Sequence, residues 1–171
     1  ENADSVERQS PLLHEATKHI GHLPIRSRGT IGGSLANNDP AAEDPAVITA
    51  LGGVMVLNSH RGERRVPSAD FFRGLLTTAI EPDELLCEVE IPAARAGSGW
   101  AFEEVSRRHG DFALAGTAAL VALENGRVVE ARLAACGVGP GPVRLAHAEE
   151  VIINNEISDD AIEAAAAAAA L

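Results

Sequence analysis

The chain has 171 residues, 46% of them hydrophobic, and a formal net charge of −11. That length suits one domain or two small ones, and the acidic balance argues against a nucleic-acid partner, because phosphate binding needs a basic face. No apolar run reaches membrane-spanning length, and no basic stretch followed by an apolar one opens the chain as a secretory signal would.

The polar segment Glu1 to Arg8 matches neither a tag nor a targeting peptide. Ser10-Pro11 starts a helix, with Ser as cap and Pro in the first turn. Leu12, Leu13, Ala16 and Ile20 share one face of it, and Gly21 ends it. Pro45 to Leu51 reads as a short apolar helix closed by Gly52-Gly53. Val54 to Asn58 and Glu63 to Val66 flank His60-Arg61-Gly62 as a hairpin. Ser68 caps a short helix carrying Phe71 and Phe72. Glu84 to Ile91 alternates as a strand, and Pro92 stops it.

The small-residue stretch from Ala93 to Gly99 is the expected domain boundary. Trp100 to Ser106 reads as a strand. Ala113 to Glu124 and Arg127 to Cys136 flank Asn125-Gly126, a strong hairpin signal. Ala115 to Leu123 suits a helix on composition, but the Asn-Gly turn and the strand after it decide for a strand. Gly137 to Pro142 forms a tight loop. Ala146 to Ile153 and Ser158 to Leu171 are helical, the second opened by Ser158-Asp159-Asp160. The alanine run 164–170 favours helix strongly and has little to bury.

Cys87 and Cys136 are the only cysteines. Two isolated thiols do not hold an iron–sulfur cluster, and both read as buried free thiols of a cytoplasmic protein. His14-Glu15 begins like a zinc-protease motif, but Lys18 stands where the second histidine belongs and His19 falls one residue late. No metal site is expected.

The run Arg28-Gly29-Thr30-Ile31-Gly32-Gly33-Ser34-Leu35-Ala36-Asn37 concentrates glycines, hydroxyls and an amide. Glycines admit a ligand close to the backbone, and consecutive exposed N–H groups form an anion-binding nest. Thr30, Ser34 and Asn37 add side-chain hydrogen bonds. The residues alone leave two readings: a site for a phosphate or a polyhydroxylated chain, or an ordinary glycine turn. The spacing is neither the dinucleotide G-x-G-x-x-G nor a P-loop.

The wider order decides more. Arg26 to Ala36, Asp39-Pro40-Ala41-Ala42-Glu43-Asp44-Pro45, Ala50-Leu51-Gly52, Val66 to Gly74, Asp83 to Leu86, Glu90-Ile91-Pro92 and Ser106 to Ala113 follow one another at compatible spacing. This order resembles the FAD-binding medium subunits of molybdenum hydroxylases, the carbon monoxide dehydrogenase-like and xanthine dehydrogenase-like enzymes, over about residues 10 to 150. The resemblance implies an α+β fold: the second lobe of a two-lobed FAD-binding fold at 1–92, then a small closing domain of antiparallel sheet plus helices at 97–171. It also implies that the first lobe, with its own glycine-rich loop, is missing and that the closing domain is incomplete.

By the same resemblance, Thr30, Ile31, Gly32, Gly33 and Ser34 line the FAD pyrophosphate and ribityl chain, and Asn37 reaches the phosphates. Ser34 stands where relatives often carry Asn or Asp. Glu43 accepts from ribityl hydroxyls, or is simply a helix N-terminal acid. Leu86 packs near the isoalloxazine, or is strand core. Phe112 shields a flavin face, or is core. Arg107, Arg108 and Asp111 steer an anionic acceptor, or form a solvated ion cluster. Glu103 stands where some relatives carry a lysine near the ring. The implied function is electron transfer: from iron–sulfur clusters on a small subunit, fed by a large subunit carrying molybdopterin, through FAD to an acceptor in a hetero-oligomer. Two other readings stand beside it, a non-catalytic interaction or scaffold domain of the same fold and a stand-alone FAD oxidoreductase of that fold.

Overall fold

The computed structural model describes residues 3–170; Glu1, Asn2 and the expected helix end at Leu171 lie outside them. Helices α1 (Asp4–Gln9), α2 (Pro11–Ala16), α3 (Leu23–Arg26), α4 (Ile31–Asn37) and α5 (Glu43–Leu51) come first. Strands β1 (Val54–Ser59) and β2 (Gly62–Pro67), helix α6 (Ser68–Phe71), the pair β3 (Phe72–Gly74) and β4 (Thr77–Thr78), and strand β5 (Leu85–Glu90) follow. Beyond residues 91–97 come β6 (Ser98–Ser106), β7 (Ala113–Glu124), β8 (Arg127–Cys136), β9 (Val143–Arg144), α7 (Ala146–Ile152) and α8 (Asp159–Ala169). The fold is α+β, with one antiparallel sheet ordered β2-β1-β5 and another ordered β6-β7-β8-β9.

The α5 helix shows how the two sheets are joined. Beyond its two N-terminal acids it lacks a polar side, and every residue from Glu43 to Leu51 is buried, as a helix apolar on most faces must be. Ala46, Val47 and Ala50 pack with Leu12 and Leu13 of α2 and with Phe102, Ala118, Leu120, Ala134 and Cys136 of the second sheet. Ile48 packs instead with Leu35, Met55, Leu57, Val66 and Phe71 of the first. Small residues, Ala118 and Ala134, face α5 from β7 and β8. At its end Gly52 takes the left-handed cap conformation, φ 68°. Arg132 donates to Leu51 O at 2.8 Å and Arg144 to Thr49 O at 3.1 Å, covering carbonyls that the helix cannot satisfy itself.

The β7–β8 hairpin forms as its sequence implies, with Asn125 at φ 52° and Gly126 at φ 79°, the left-handed pair that a tight hairpin turn requires. The Ser158 hydroxyl oxygen accepts from Ala161 N at 3.2 Å and caps α8. The alanine run buries Ala165 against Val128, Ala148 and Ile152.

Several expectations need correction. The helix opened at Ser10-Pro11 stops at Ala16 instead of running to Gly21. The Thr17 hydroxyl bonds His14 O at 2.8 Å, and Lys18 N and His19 N turn back to Glu15 O and Ala16 O, three residues earlier. Polar Asp4–Gln9 is helical. Ser68 is the first helical residue and not the cap, which is Pro67. Phe72 leaves that helix for β3. Cys136 is buried, but Cys87 is exposed, because Leu86 beside it turns to the core and successive side chains point to opposite faces of a sheet.

Candidate functional site

A cavity of about 960 Å³ opens between the segment from α2 to the start of α5 and the loop joining β6 to β7. Its volume suits a sizeable small-molecule ligand.

The glycine run builds one wall, but not as a nest. Thr30 takes an extended conformation, φ −133° and ψ 146°, and its hydroxyl oxygen accepts from Gly33 N at 3.0 Å. Thr30 is therefore the cap of α4, and Gly32 and Gly33 form its first turn with helical, not left-handed, backbone. A Cβ on Gly33 would stand 2.9 Å from the capping oxygen, so glycine is needed there for the cap itself. A Cβ on Gly32 would meet nothing within 4 Å, which leaves the first turn of α4 clear for close approach.

Leu35 anchors α4 in the first-sheet core. Asn38 ends the helix in the left-handed region, φ 48°. Its amide donates to Gly74 O at 2.7 Å and Thr77 O at 3.1 Å, pinning α4 to the β3–β4 turn. That capping leaves the neighbouring Asn37 side chain facing the cavity. Asp39 Oδ1 then accepts from Ala41 N at 2.9 Å and turns the chain into α5.

The first two residues of α5 are acids facing the cavity. Burial pushes the Glu43 carboxyl up to about 7, helped by the nearby charges of Glu104, Asp44 and Asp39. Burial likewise pushes Asp44 up to about 6 against the opposing pull of the Ser34 hydroxyl, and Asp44 Oδ1 has no partner among the described residues. Behind Glu43, Glu104 of β6 leaves Oε2 unpartnered, with His19 Nδ1 at 3.7 Å from its other oxygen. A buried carboxylate without a cation is costly, so Glu43 and Asp44 hold their protons more tightly than free carboxyls do. A neutral carboxyl both donates and accepts hydrogen bonds, which suits hydroxyls and repels phosphate less.

The opposite rim comes from Gly110, Asp111 and Phe112. Gly110 has φ +83°, and a Cβ there would lie 2.4 Å from His22 Cε1. Only glycine allows this loop to meet the segment leading into α3. Phe112 is 75% exposed, so it is rim and not core. Ile20, Ile25 and Leu13 give this end an apolar lining.

Thr30, Ile31, Gly33, Ser34, Asn37, Glu43 and Phe112 thus line one cavity, whereas Gly32 and Leu86 do not. Leu86 packs against the Leu35–Met55–Phe71 core. Of the Arg107, Arg108 and Asp111 group, Asp111 alone reaches the cavity, and Arg108 Nε pairs with it at 3.2 Å. Glu103 lies outside the cavity lining, exposed on β6. The residues that sequence reasoning missed are Gly21, Arg28, Asp44, Glu104 and Gly110. Gly21 as a helix terminator, Arg28 at the head of the glycine run, the Glu43-Asp44-Pro45 string and Gly110 within Ser106 to Ala113 offered a signal; Glu104 offered none.

The family model described as the FAD binding domain in molybdopterin dehydrogenase matches residues 1–94, and that of the CO dehydrogenase flavoprotein C-terminal domain matches 100–171. Caffeine dehydrogenase subunit beta from Pseudomonas sp. strain CBB1 is 47% identical over 88% of this chain and 51% of its own length. The carbon monoxide dehydrogenase structure from Hydrogenophaga pseudoflava superposes with a TM-score of 0.94 at 38% identity, covering 97% of this chain and 58% of that one. Quinoline 2-oxidoreductase from Pseudomonas putida 86 gives a TM-score of 0.90 at 36% identity, over 96% of this chain and 57% of that one. The chain spans about half the length of the curated relatives it matches, 51% and 56% for two of them. With its first 94 residues on that model and the remainder on the flavoprotein C-terminal model, the chain belongs to the FAD-binding domain family of molybdopterin dehydrogenases.

Proposed function

We propose that this chain is the flavin-holding part of a molybdenum hydroxylase-type dehydrogenase, with FAD in the cavity between α4, α5 and the 110–112 loop. The carrying observation is that one space combines three chemistries at different points. There is a clear, capped helix turn with hydroxyl and amide groups, a wall bearing the buried carboxyls of Glu43 and Asp44, and an exposed aromatic ring at an apolar rim. These residues fit a long ligand with a charged middle, a hydroxylated chain and a flat ring.

When bound, FAD supplies the electron-carrying chemistry between iron–sulfur clusters and an acceptor. The chain's own part is to bind, orient and shield. The backbone around Ile31 and Gly33, with Thr30, Ser34 and Asn37, would face the pyrophosphate and ribityl chain. Glu43 would exchange hydrogen bonds with ribityl hydroxyls as either donor or acceptor near neutral pH. Phe112 would cover one ring face and keep water from it. Gly32 and Leu86 support from outside the lining: Gly32 leaves the α4 turn unobstructed, and Leu86 fixes β5 against the core.

The same reading assigns 1–92 to the second FAD-binding lobe and 97–171 to the closing domain. Its partners are a molybdenum-binding large subunit and an iron–sulfur small subunit, in the cytoplasm. No described helix is long and apolar enough to cross a membrane, and the acidic surface argues against nucleic acid.

The test is an absorbance spectrum of the purified chain incubated with FAD and then desalted. Retained flavin bands are the expected result. A colourless protein, with folding verified by circular dichroism, contradicts the reading.

A further inference from the structure

The cavity wall holds the carboxyls of Asp39, Glu43, Asp44 and Asp111, and the guanidiniums of Arg26 and Arg28. Arg26 is engaged: its Nη1 donates to Ile20 O at 3.0 Å and to Gly21 O at 2.8 Å. Arg28 differs. Its backbone is fixed, with Arg28 N on Ile25 O at 3.1 Å and Gly29 N on the same oxygen at 2.8 Å. Its side chain makes no hydrogen bond or ion pair with any described residue. In a chain of net charge −11, a guanidinium that shares a cavity with four acids and pairs with none is left for an incoming anion. Arg28 stands two residues before the Thr30 cap, beside the clear turn of α4.

We propose that Arg28 is a binding residue for the diphosphate of the cavity's ligand, its planar fork taking two phosphate oxygens at once. That the diphosphate belongs to FAD rests on the function proposed above; that Arg28 takes a diphosphate rests on its free guanidinium. Arg28 brings a guanidinium that is not already committed to backbone carbonyls, as that of Arg26 is. It thereby separates the ligand's charged middle from its hydroxylated chain, which falls to Glu43.

The experiment is isothermal titration of the wild-type chain, Arg28→Gln and Arg28→Lys with FAD, riboflavin and inorganic pyrophosphate. Arg28 is exposed, so both variants keep the fold, checked by circular dichroism. Losing a charge-assisted bidentate contact weakens binding by about 10- to 100-fold. That loss is expected for FAD and pyrophosphate in Arg28→Gln, with riboflavin unaffected. Arg28→Lys recovers only part, because an ammonium restores the charge but not the fork. If Arg28→Gln binds FAD as tightly as wild type, or loses riboflavin equally, the assignment is overturned. Full recovery by Arg28→Lys overturns the bidentate contact. Pyrophosphate binding that depends on Arg28, without binding of either flavin, keeps the Arg28 assignment and sinks the flavin reading. A wild-type chain that binds neither FAD nor pyrophosphate sinks both.

Discussion

Glu43 at the start of α5 and Glu84 just before β5 are the same side chain, each shielded from water, with Glu43 8% exposed and the Glu84 side chain 4% exposed. Their acidities move in opposite directions. Glu84 sits in a guanidinium fork, with Arg64 Nε on Oε1 at 2.9 Å and Arg64 Nη2 on Oε2 at 2.6 Å, and Glu81 N donates to it at 2.9 Å. These bonds hold its carboxyl down at about 2, the Arg64 contact being the largest cause. Glu43 has no cation partner among the described residues, and burial lifts it to about 7. The network of Arg61, Arg64, Glu81 and Glu84 ties β2 to the segment ahead of β5. In the cavity Asp44 Oδ1 is left without a partner among the described residues.

The largest effect should come from breaking the cavity side of this contrast. Glu43 holds its proton more tightly folded than unfolded. It therefore favours folding most below 4.5 and loses that advantage as pH rises through about 7. Replacing it by Gln removes the penalty of ionising a buried acid, so E43Q should be more stable than wild type at pH 8 by roughly 2–3 kcal/mol. The two proteins should converge near pH 4. Urea unfolding at both pH values checks this; equal stability at pH 8 would show that Glu43 is not shielded as described.

The network side should respond with the opposite sign. Glu84 favours folding above its unfolded value of 4.5, and the gain is lost as pH falls through about 2. Glu84→Gln should lower the thermal midpoint at pH 7, with the gap closing toward pH 2. The smallest effect belongs to the exposed Arg95–Glu124 pair. Arg95→Gln should change stability by less than about 1 kcal/mol, and less still in high salt. A larger loss there would remove the distinction between shielded and open ion pairs.

The same contrast governs what was legible in the sequence. Asn125-Gly126 and Ser158 were readable because turn and cap chemistry is local. The Thr30–Asn37 run lines the cavity apart from Gly32, Leu35 and Ala36, but with a helical backbone in place of the expected nest. Glycines there read as loop, yet the Thr30 cap and the Leu35 anchor outweigh their poor helix propensity. Leu86 was read as flavin-facing or as core, and its packing depends on β1 and α4, which no local pattern shows. Cys87 reads as buried because its neighbours are apolar; which face of the sheet meets the core is a property of the tertiary fold. Glu43 is recognisable as an acid, but its raised pKa comes first from burial and then from charges such as that of Glu104, sixty-one positions later. The Arg28 guanidinium stood in the motif unassigned, because freedom from partners is visible only once all the partners are placed.

The most direct test of the central claim is hydrogen exchange by mass spectrometry on the chain with and without FAD. The account predicts added protection in two separate stretches, residues 28–44 and 108–113, with little change along β7–β8 away from the cavity. No protection, or protection confined to the Arg61–Glu84 face, would contradict it.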